Sequence, residues 1–414
     1  MSEVKKPLEG VRIVELATFI AAPCTARFLA DLGAEVIKVE NPAGDPLRYT
    51  AVNEGRPLDQ KENTSYDLEN AGKTCIALNL KSLEGREAME KLVASADVFI
   101  TNVRQKSLIK QGLDYDTLHA KYPSLVFGFV SGYGEKGPDK DLPGFDFTAF
   151  YARGGIIGPL RDESSLPMLT VAGFGDHQVA MNLAAGVLAA LFRAKMTGEG
   201  DKVVVSLFHS AVWDISLVLQ ASQYGAECMQ YPMTRDKLAN PLIVCHRTKD
   251  NRWIQISMPQ YNRHFPIFMK AIGHPEMAEN PKFYPQDALQ ANRKEFYDWL
   301  VEEMATRTLD EWCELLKAND LPYAVAQNWD ELLKDEQAWA SDIFCELDYS
   351  NGSKRTMVRP PVMFEETGLP EYKRGPYLGE NTVEILKSVG YSDEEVNAMV
   401  ENEAVALMDK ALED

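Results

Sequence analysis

The chain has no C-x-x-C pair: its six cysteines, Cys24, Cys75, Cys228, Cys245, Cys313 and Cys345, stand singly along 414 residues. Structural zinc and a redox dithiol both lose their usual signature, and scattered thiols suit a reducing compartment. Histidine is as sparse. His119, His177, His209, His246, His264 and His274 show no H-x-x-x-H spacing, so no metal is expected. No Lys/Arg-rich run interrupts an excess of 62 acidic over 43 basic residues. The net charge of −19 repels phosphate backbones and anionic bilayers, so neither nucleic acid nor membrane is an expected partner. The opening MSEVKKPLEG lacks an apolar signal core, and the apolar run Val203–Val218 is interrupted by His209 and Asp214. A cytoplasmic location is the expectation.

What the chain does have is core-forming material. Hydrophobic residues make up 45% of it, with 17 Phe, 16 Tyr and 6 Trp, which excludes disorder. Its length exceeds what one core organises. Short β-branched runs alternate with helical stretches: Val11–Leu16 and Glu35–Val39 as strands around the helix Ala22–Leu32, then Ile76–Leu80, the helix Leu83–Ser95, Val98–Thr101, the helix Tyr115–Lys121 and Leu125–Ser131. This predicts an α/β fold with a large doubly wound parallel sheet. Gly132–Asp146 is a Gly/Pro-rich loop; beyond Asp176 a long apolar helix stops at Gly198, and the strand Lys202–Ser206 leads into a second, Leu207–Tyr224. Two such helices imply deep burial. A strand pair, Leu242–Cys245 and Trp253–Ile256, precedes helices near Phe265–Ile272, Lys294–Ala305 and Leu309–Ala318. The division expected is 1–225 as the first part of a large domain, 226–330 as a smaller α+β domain, and 331–414 as a linker returning to the large one, with the helix Thr382–Val389 and an acidic helical tail from Ser392.

Gly132-Tyr-Gly-Glu-Lys-Gly137 matches G-x-G-x-x-G, but a pyrophosphate cradle needs its third glycine in the first turn of a helix, and Gly137 runs into Pro138. Glu40 ends the second strand where a ribose would want an acid, yet the turn Ala17–Pro23 holds no glycine, so no nicotinamide cofactor is expected. Ser131 is displaced from a nucleophile elbow. Cys24, near the start of the first helix, suits packing as well as reactivity. There remains Gly173-Phe-Gly-Asp-His177, a glycine-framed carboxylate ahead of a buried helix. Asp176 reads either as a helix N-cap or as a covalent nucleophile at a cleft floor, held ionised by the helix N-terminus.

The stretches LEGVRIVELATFIAAPCTARFLADLGAEVIKVENPAGDPLR, NAGKTCIALNLKSLEGRE, DVFITNVR, GYGEKGPDKDLPGFDFTAF and GFGDH…AAGVLAALFRAKMTGEGDKVVVSLFHSAV together resemble the family III CoA-transferases over nearly the whole chain. The resemblance implies an interlocked homodimer of ring-shaped chains, coenzyme A or acyl-CoA as substrate with no permanently bound cofactor, and Asp176 as the catalytic aspartate passing through aspartyl anhydride and aspartyl-CoA thioester intermediates. It also implies a CoA site along Ile20, Ala21, Asn41, Leu78 to Lys81, Asn102, Val103, Arg104 and Lys110, with Asp146 beside the reacting groups. Family members often carry Arg where this chain has Asn41, and the glycine-run lid of some members has no counterpart between Cys228 and Asn240. DPLRYTAVNEGRPL, ENTSYDLENA, KQGLDYDTL and DEQAWA resemble the branch of amino-acid fermentation that moves CoA from an aryl-acrylyl-CoA of the cinnamoyl type to an aryl 2-hydroxy acid of the phenyllactate type. An iron–sulfur 2-hydroxyacyl-CoA dehydratase is the associated partner that this implies. A branched aliphatic or indolyl 2-hydroxy acid is the alternative acceptor. The same fold hosts α-methylacyl-CoA racemases, whose catalytic histidine falls where this chain has Phe145, which cannot accept a proton. Phe145, Phe147, Phe150 and Tyr151 lie on one segment, from which aromatic faces are expected to meet an aryl substrate.

Overall fold

Strand β1 (Arg12–Leu16) buries its three central residues because it runs through the middle of a sheet covered on both faces. The computed structural model describes residues 5–225, 231–368 and 371–412, so Cys228 and the first part of the 228–240 stretch lie outside the described residues. After β1 come α1 (Ala21–Asp31), β2 (Glu35–Glu40), α2 (Thr64–Asn70), β3 (Thr74–Leu78), α3 (Leu83–Ala94), β4 (Val98–Thr101), α4 (Gln105–Gln111), α5 (Tyr115–Lys121) and β5 (Val126–Ser131). A single π-helical turn at Asp146–Ala152 precedes α6 (Phe174–Thr197), β6 (Lys202–Ser206), α7 (Leu207–Asp214) and α8 (Ser216–Ala221).

The seven-stranded sheet has the order β12-β3-β2-β1-β4-β5-β6, parallel throughout except for the antiparallel edge strand β12 (Val405–Ala406). Chain direction across the sheet reverses between β1 and β4, the switch point where open α/β sheets leave a crevice beyond the strand ends. Met1–Ile156, Leu169–Leu219 and Glu336–Asp414 make up this larger unit, and Ile157–Met168 with Gln220–Asp335 a smaller one. In the smaller unit β7 (Cys245–Arg247), β8 (Trp253–Ile256) and β9 (Tyr323–Val325) form an antiparallel sheet, accompanied by α9 (Tyr261–Ile272), α10 (Gln286–Met304), α11 (Leu309–Ala318) and the short α12 (Trp329–Leu332). Its core is a fully buried set of rings, among them Phe265, Phe268, Phe296 and Trp312. The larger unit resumes at α13 (Glu336–Ala340), the hairpin β10 (Phe344–Asp348) and β11 (Lys354–Val358), α14 (Thr382–Ser388) and α15 (Asp393–Glu401).

Several sequence expectations need correction. The second apolar helix is not one element and is not deeply buried: it breaks after Asp214, and Trp213 and Leu217 are 70% and 79% exposed. Apolar composition marks a surface that wants covering, and this chain alone does not cover it. Leu242 lies in a 3-10 turn, so the hairpin strand starts only at Cys245. The β10–β11 hairpin and β12 escaped notice because alternating charges on one and the two-residue length of the other leave no period to read. Among the described residues the helix long and apolar enough to cross a bilayer is α6 rather than the run 203–218; it packs on α1, β5 and β6, which accounts for its apolar face.

Candidate active site

Glu15 and Lys38 sit opposite each other in the β1–β2 register, and both side chains are wholly buried. Lys38 Nζ is 2.8 Å from Glu15 Oε1 and 3.0 Å from Asp45 Oδ2, and Lys73 Nζ is 2.6 Å from Glu15 Oε2. Two buried cations thus face two buried anions. Burial pushes the Glu15 carboxyl up, but Lys38 and Lys73 outweigh it and hold it below its usual range. This lattice grips the turn after β1: Lys38 Nζ donates to Ala17 O (3.2 Å), Lys73 Nζ to Pro23 O (2.8 Å), and Asp45 Oδ1 accepts from Phe19 N (3.1 Å). Asn102, just beyond β4, clamps the same turn by accepting from Thr18 N (3.1 Å) and donating to Thr18 O (2.8 Å).

Ile20, Ala21, Asn41, Lys81, Asn102, Val103 and Arg104 therefore follow the carboxyl ends of β1 to β4 around the switch point. Arg104, Lys81 and Lys110 are exposed, and no ion pair engages them among the described residues. Asn41 folds back on its own turn, accepting from Ala43 N (2.7 Å) and donating to Gly44 O (3.3 Å). Leu78 does not join them through its side chain, which is sealed in the core between β2 and β12. Glu40 is not free for a ribose either. Arg48 forks onto it at 2.8 and 2.9 Å and the Tyr66 hydroxyl donates to it at 2.7 Å, holding its carboxyl down at about 2 against the burial that would raise it.

Helix α6 brings Asp176 to this edge. Thr25 Oγ1 of α1 donates to Ala180 O of α6 (3.2 Å), and at the helix starts Ile20 Cδ1 lies 3.3 Å from where a Cβ on Gly173 would stand. Asp176 is not the cap expected from sequence: Gly173 occupies that position and Asp176 is the third helical residue. Gly175 is required between them, because a side chain there would collide with the Phe150 ring and with Asp146 Oδ1. In place of that side chain, Gly175 N donates to Asp146 Oδ1 at 3.1 Å. Asp146 Oδ2 is buried with no protein partner.

Nor does the helix terminus hold Asp176 in the ordinary ionised range, as the sequence led us to expect. Burial, then the neighbouring carboxylates Asp146 and Glu69, push it up to about 7, with His177 opposing. Asp146 rises to about 6, chiefly through burial. His177 Nε2 is 3.0 Å from Glu69 Oε1, and the ion pair with Glu69 raises its pKa against burial. Cys24 lies in the same cluster, its sulfur within 4.8 Å of the Glu69 and His177 ligand atoms. Burial, then Glu69, push its thiol well up, so the Cys24 sulfur stands protonated beside the pair. The Glu69–His177 pair escaped sequence reading because 108 residues separate its partners. Of the aromatic segment, Phe150 and Tyr151 are buried under the site, while Phe145 and Phe147 are exposed. A cavity of about 530 Å³ beside the β10–β11 hairpin shares no lining residue with this site.

A half-buried carboxylate of raised pKa at a helix N-terminus, beside a sheet edge carrying exposed cations, suits covalent attack on an activated acyl group borne by a polyanionic carrier. Comparison with known proteins gives the family. The family model for CoA-transferase family III matches residues 8–382. The chain is 51% identical over 391 residues to cinnamoyl-CoA:phenyllactate CoA-transferase of Clostridium sporogenes, covering 94% of this chain and 95% of that one. It is 43% identical over 398 residues to (R)-2-hydroxy-4-methylpentanoate CoA-transferase of Clostridioides difficile, covering 96% and 99%. Among solved structures, a CAIB/BAIF family protein from Brucella suis superposes with a TM-score of 0.78 at 26% identity, covering 93% of this chain and all of that one.

Proposed function

The chain belongs to CoA-transferase family III, and from that premise we propose that it moves CoA from an aryl-acrylyl-CoA of the cinnamoyl type to an aryl 2-hydroxy acid of the phenyllactate type, with Asp176 as nucleophile. The ionised Asp176 carboxylate attacks the thioester carbonyl; the C–S bond breaks and leaves an aspartyl acyl anhydride with CoA thiolate. The thiolate attacks the aspartyl carbonyl of that anhydride, expelling the donor's carboxylate and forming an aspartyl-CoA thioester. The acceptor carboxylate then displaces the thiolate, and the thiolate takes the acceptor's acyl carbon, returning Asp176 as a carboxylate. No proton or ATP is consumed, because each bond formed has a group-transfer potential close to that of the bond broken.

The observation that carries this reading is the meeting of Ile20 with Gly173, which joins the clamped β1–α1 turn to the turn bearing Asp176. Lys81, Arg104 and Lys110 suit the phosphates of CoA, and the main-chain N–H groups of Phe174 and Asp176 suit the oxyanion, the Gly175 N–H being held by Asp146. Burial, then Asp146 and Glu69, raise the pKa of Asp176, giving a more basic nucleophile that is still ionised in part at neutral pH. The preference for an aryl acceptor rests on the relative at 51% identity; the relative at 43% identity, named for a branched aliphatic acid, supplies the rival acceptor. An interlocked homodimer is part of the same reading, supported by the exposed apolar side chains Phe192, Met196, Trp213 and Leu217. The 2-hydroxyacyl-CoA product suits an iron–sulfur dehydratase as metabolic partner.

Asp176→Ala tests the role of the carboxylate. Transfer is expected to fall by at least ~10³-fold, while thermal stability holds or rises, since a carboxylate with a raised pKa is costly to bury. Residual transfer near the wild-type rate contradicts the assignment.

A further inference from the structure

Phe19 has a left-handed backbone, φ +63°. Among the described residues the other non-glycine positions with positive φ are Asn251, Asp320, Asp342 and Glu403, small or polar residues at turns and helix ends. A bulky aromatic there is a genuine outlier, and such strain persists only where the surroundings impose it. Here they do, from both sides. The Phe19 N–H is held by Asp45, itself ion-paired to the buried Lys38, and the preceding Thr18 is clamped at both its N–H and its carbonyl by Asn102.

The imposed turn sends the Phe19 ring into the open, where it stands 38% exposed. It meets Phe145 edge to face, ring centroids 6.3 Å apart and planes at 90°. Phe145 is itself 56% exposed and immediately precedes Asp146, whose carboxylate receives the N–H of Gly175. The residue after Phe19 is Ile20, which lies against Gly173. The two rings therefore belong to the two segments that frame the Asp176 turn, one on each side. An edge-to-face pair left half in water has unspent apolar surface and room for a third ring.

Resting on the transferase reading above, we propose that Phe19 and Phe145 form an aromatic seat for the aryl group of the substrate acid, with Phe19 as a specificity-determining residue. The strained turn places a ring where an ordinary extended or helical backbone would not. Within the CoA thioester two groups are flat rings, the aryl end and the adenine. The seat flanks the nucleophile, so it receives the end that reacts; an adenine seat would affect every acyl-CoA alike.

The test is a competition of phenyllactate against 2-hydroxy-4-methylpentanoate for one cinnamoyl-CoA donor, with both product thioesters quantified by mass spectrometry. Phe19→Gly keeps the left-handed turn without strain and removes the ring; Phe19→Leu keeps an apolar side chain; Phe19→Tyr keeps the ring. The aryl-to-aliphatic product ratio is expected to fall about 10-fold in the first two variants and to stay near wild type in the third. An unchanged ratio in folded Phe19→Gly, or an equal loss with both acids, overturns the seat while leaving the aryl preference of the enzyme standing. A wild-type enzyme with no aryl preference overturns the seat and the proposed acceptor class together, and Asp176 chemistry is untouched by either result.

Discussion

At the centre of the larger unit Lys38 lies between Glu15 and Asp45 with no solvent contact, whereas the centre of the smaller unit is a set of rings in which Phe265 meets Phe296 at 5.5 Å and Tyr261 at 4.9 Å. Hydrocarbon packing is the cheaper way to fill a core, since buried ion pairs often do no better for stability than apolar residues of equal volume. What the ionic lattice adds is direction. Its atoms hold Ala17, Phe19 and Pro23 at fixed points, and these bracket the turn that leads into Ile20 and Ala21. The ring core fixes no comparable set of main-chain atoms at a candidate site, although the Trp312 indole donates to Met304 O at 2.8 Å. The buried charges of the larger unit thus fix main-chain atoms beside the candidate site, while the ring core of the smaller unit chiefly fills volume.

Paired substitutions separate the two cores. Lys38→Met leaves Glu15 and Asp45 short of a cation and is expected to cost about 3–5 kcal/mol. It is expected to lower kcat/KM as well, because the Phe19 turn loses its anchor. Phe296→Ala in the smaller unit is expected to cost a similar ~3–5 kcal/mol, yet at temperatures where the variant remains folded its kcat is expected to match wild type. Denaturant unfolding alongside initial rates decides the matter; a Lys38→Met enzyme with full kcat/KM would dissolve the distinction.

A smaller effect concerns the pH profile. With Asp176 pushed up to about 7, transfer that needs its ionised form is expected to decline as pH falls through about 7. Asp146→Asn retains an acceptor for Gly175 N but deletes the nearest negative charge, so the acid limb is expected to move down by about one pH unit. A limb that stays in place means that Asp146 does not set the basicity of the nucleophile.

The smallest effect sets the two units against each other. In the folded larger unit Asp146 and Asp176 are pushed up to about 6 and about 7, above the unfolded range and chiefly by burial, so they bind protons on acidification that the unfolded chain does not. Their region gains stability as pH falls from 7 toward 4. His246 in the smaller unit is lowered to about 4 by burial, so below about 6.5 the unfolded chain takes up a proton that the folded one refuses. That region loses stability over the same window. Amide-exchange protection factors, which remove the intrinsic pH dependence of exchange, are expected to rise in α6 and fall in β7 between pH 7.5 and 5.5; changes of the same sign in both would show that these groups do not govern local stability.

The alternation of strands and helices in the first 130 residues was legible because parallel strands buried on both faces are nearly continuous apolar runs. Asp176 was legible as a candidate because glycines on either side of Phe174 leave room around a carboxylate. What the carboxylate would titrate at was not. The Asp146, Glu69 and His177 side chains that set it come from other elements or from a helix phase that spacing alone does not fix. Leu78 shows a related limit: a position at a strand end can offer its main chain to a ligand while its side chain closes the core. Glu15 and Lys38 stood in plain view inside VRIVEL and EVIKV, and a charge in the middle of a buried strand is a signal for a cross-strand partner. The Phe19 turn carried no signal at all, since backbone strain arises from Asp45 and Asn102, distant in the chain.

If Asp176 carries the acyl group during transfer, a nucleophile added in place of the acceptor acid must capture it there. Incubation of the enzyme with cinnamoyl-CoA and hydroxylamine, followed by peptide mapping, is expected to show a hydroxamate mass shift on the peptide containing Gly173–His177, localised to Asp176, and none in Asp176→Ala. An adduct at Asp146, Glu69 or Cys24, or transfer proceeding with no trapped adduct on any residue, contradicts it.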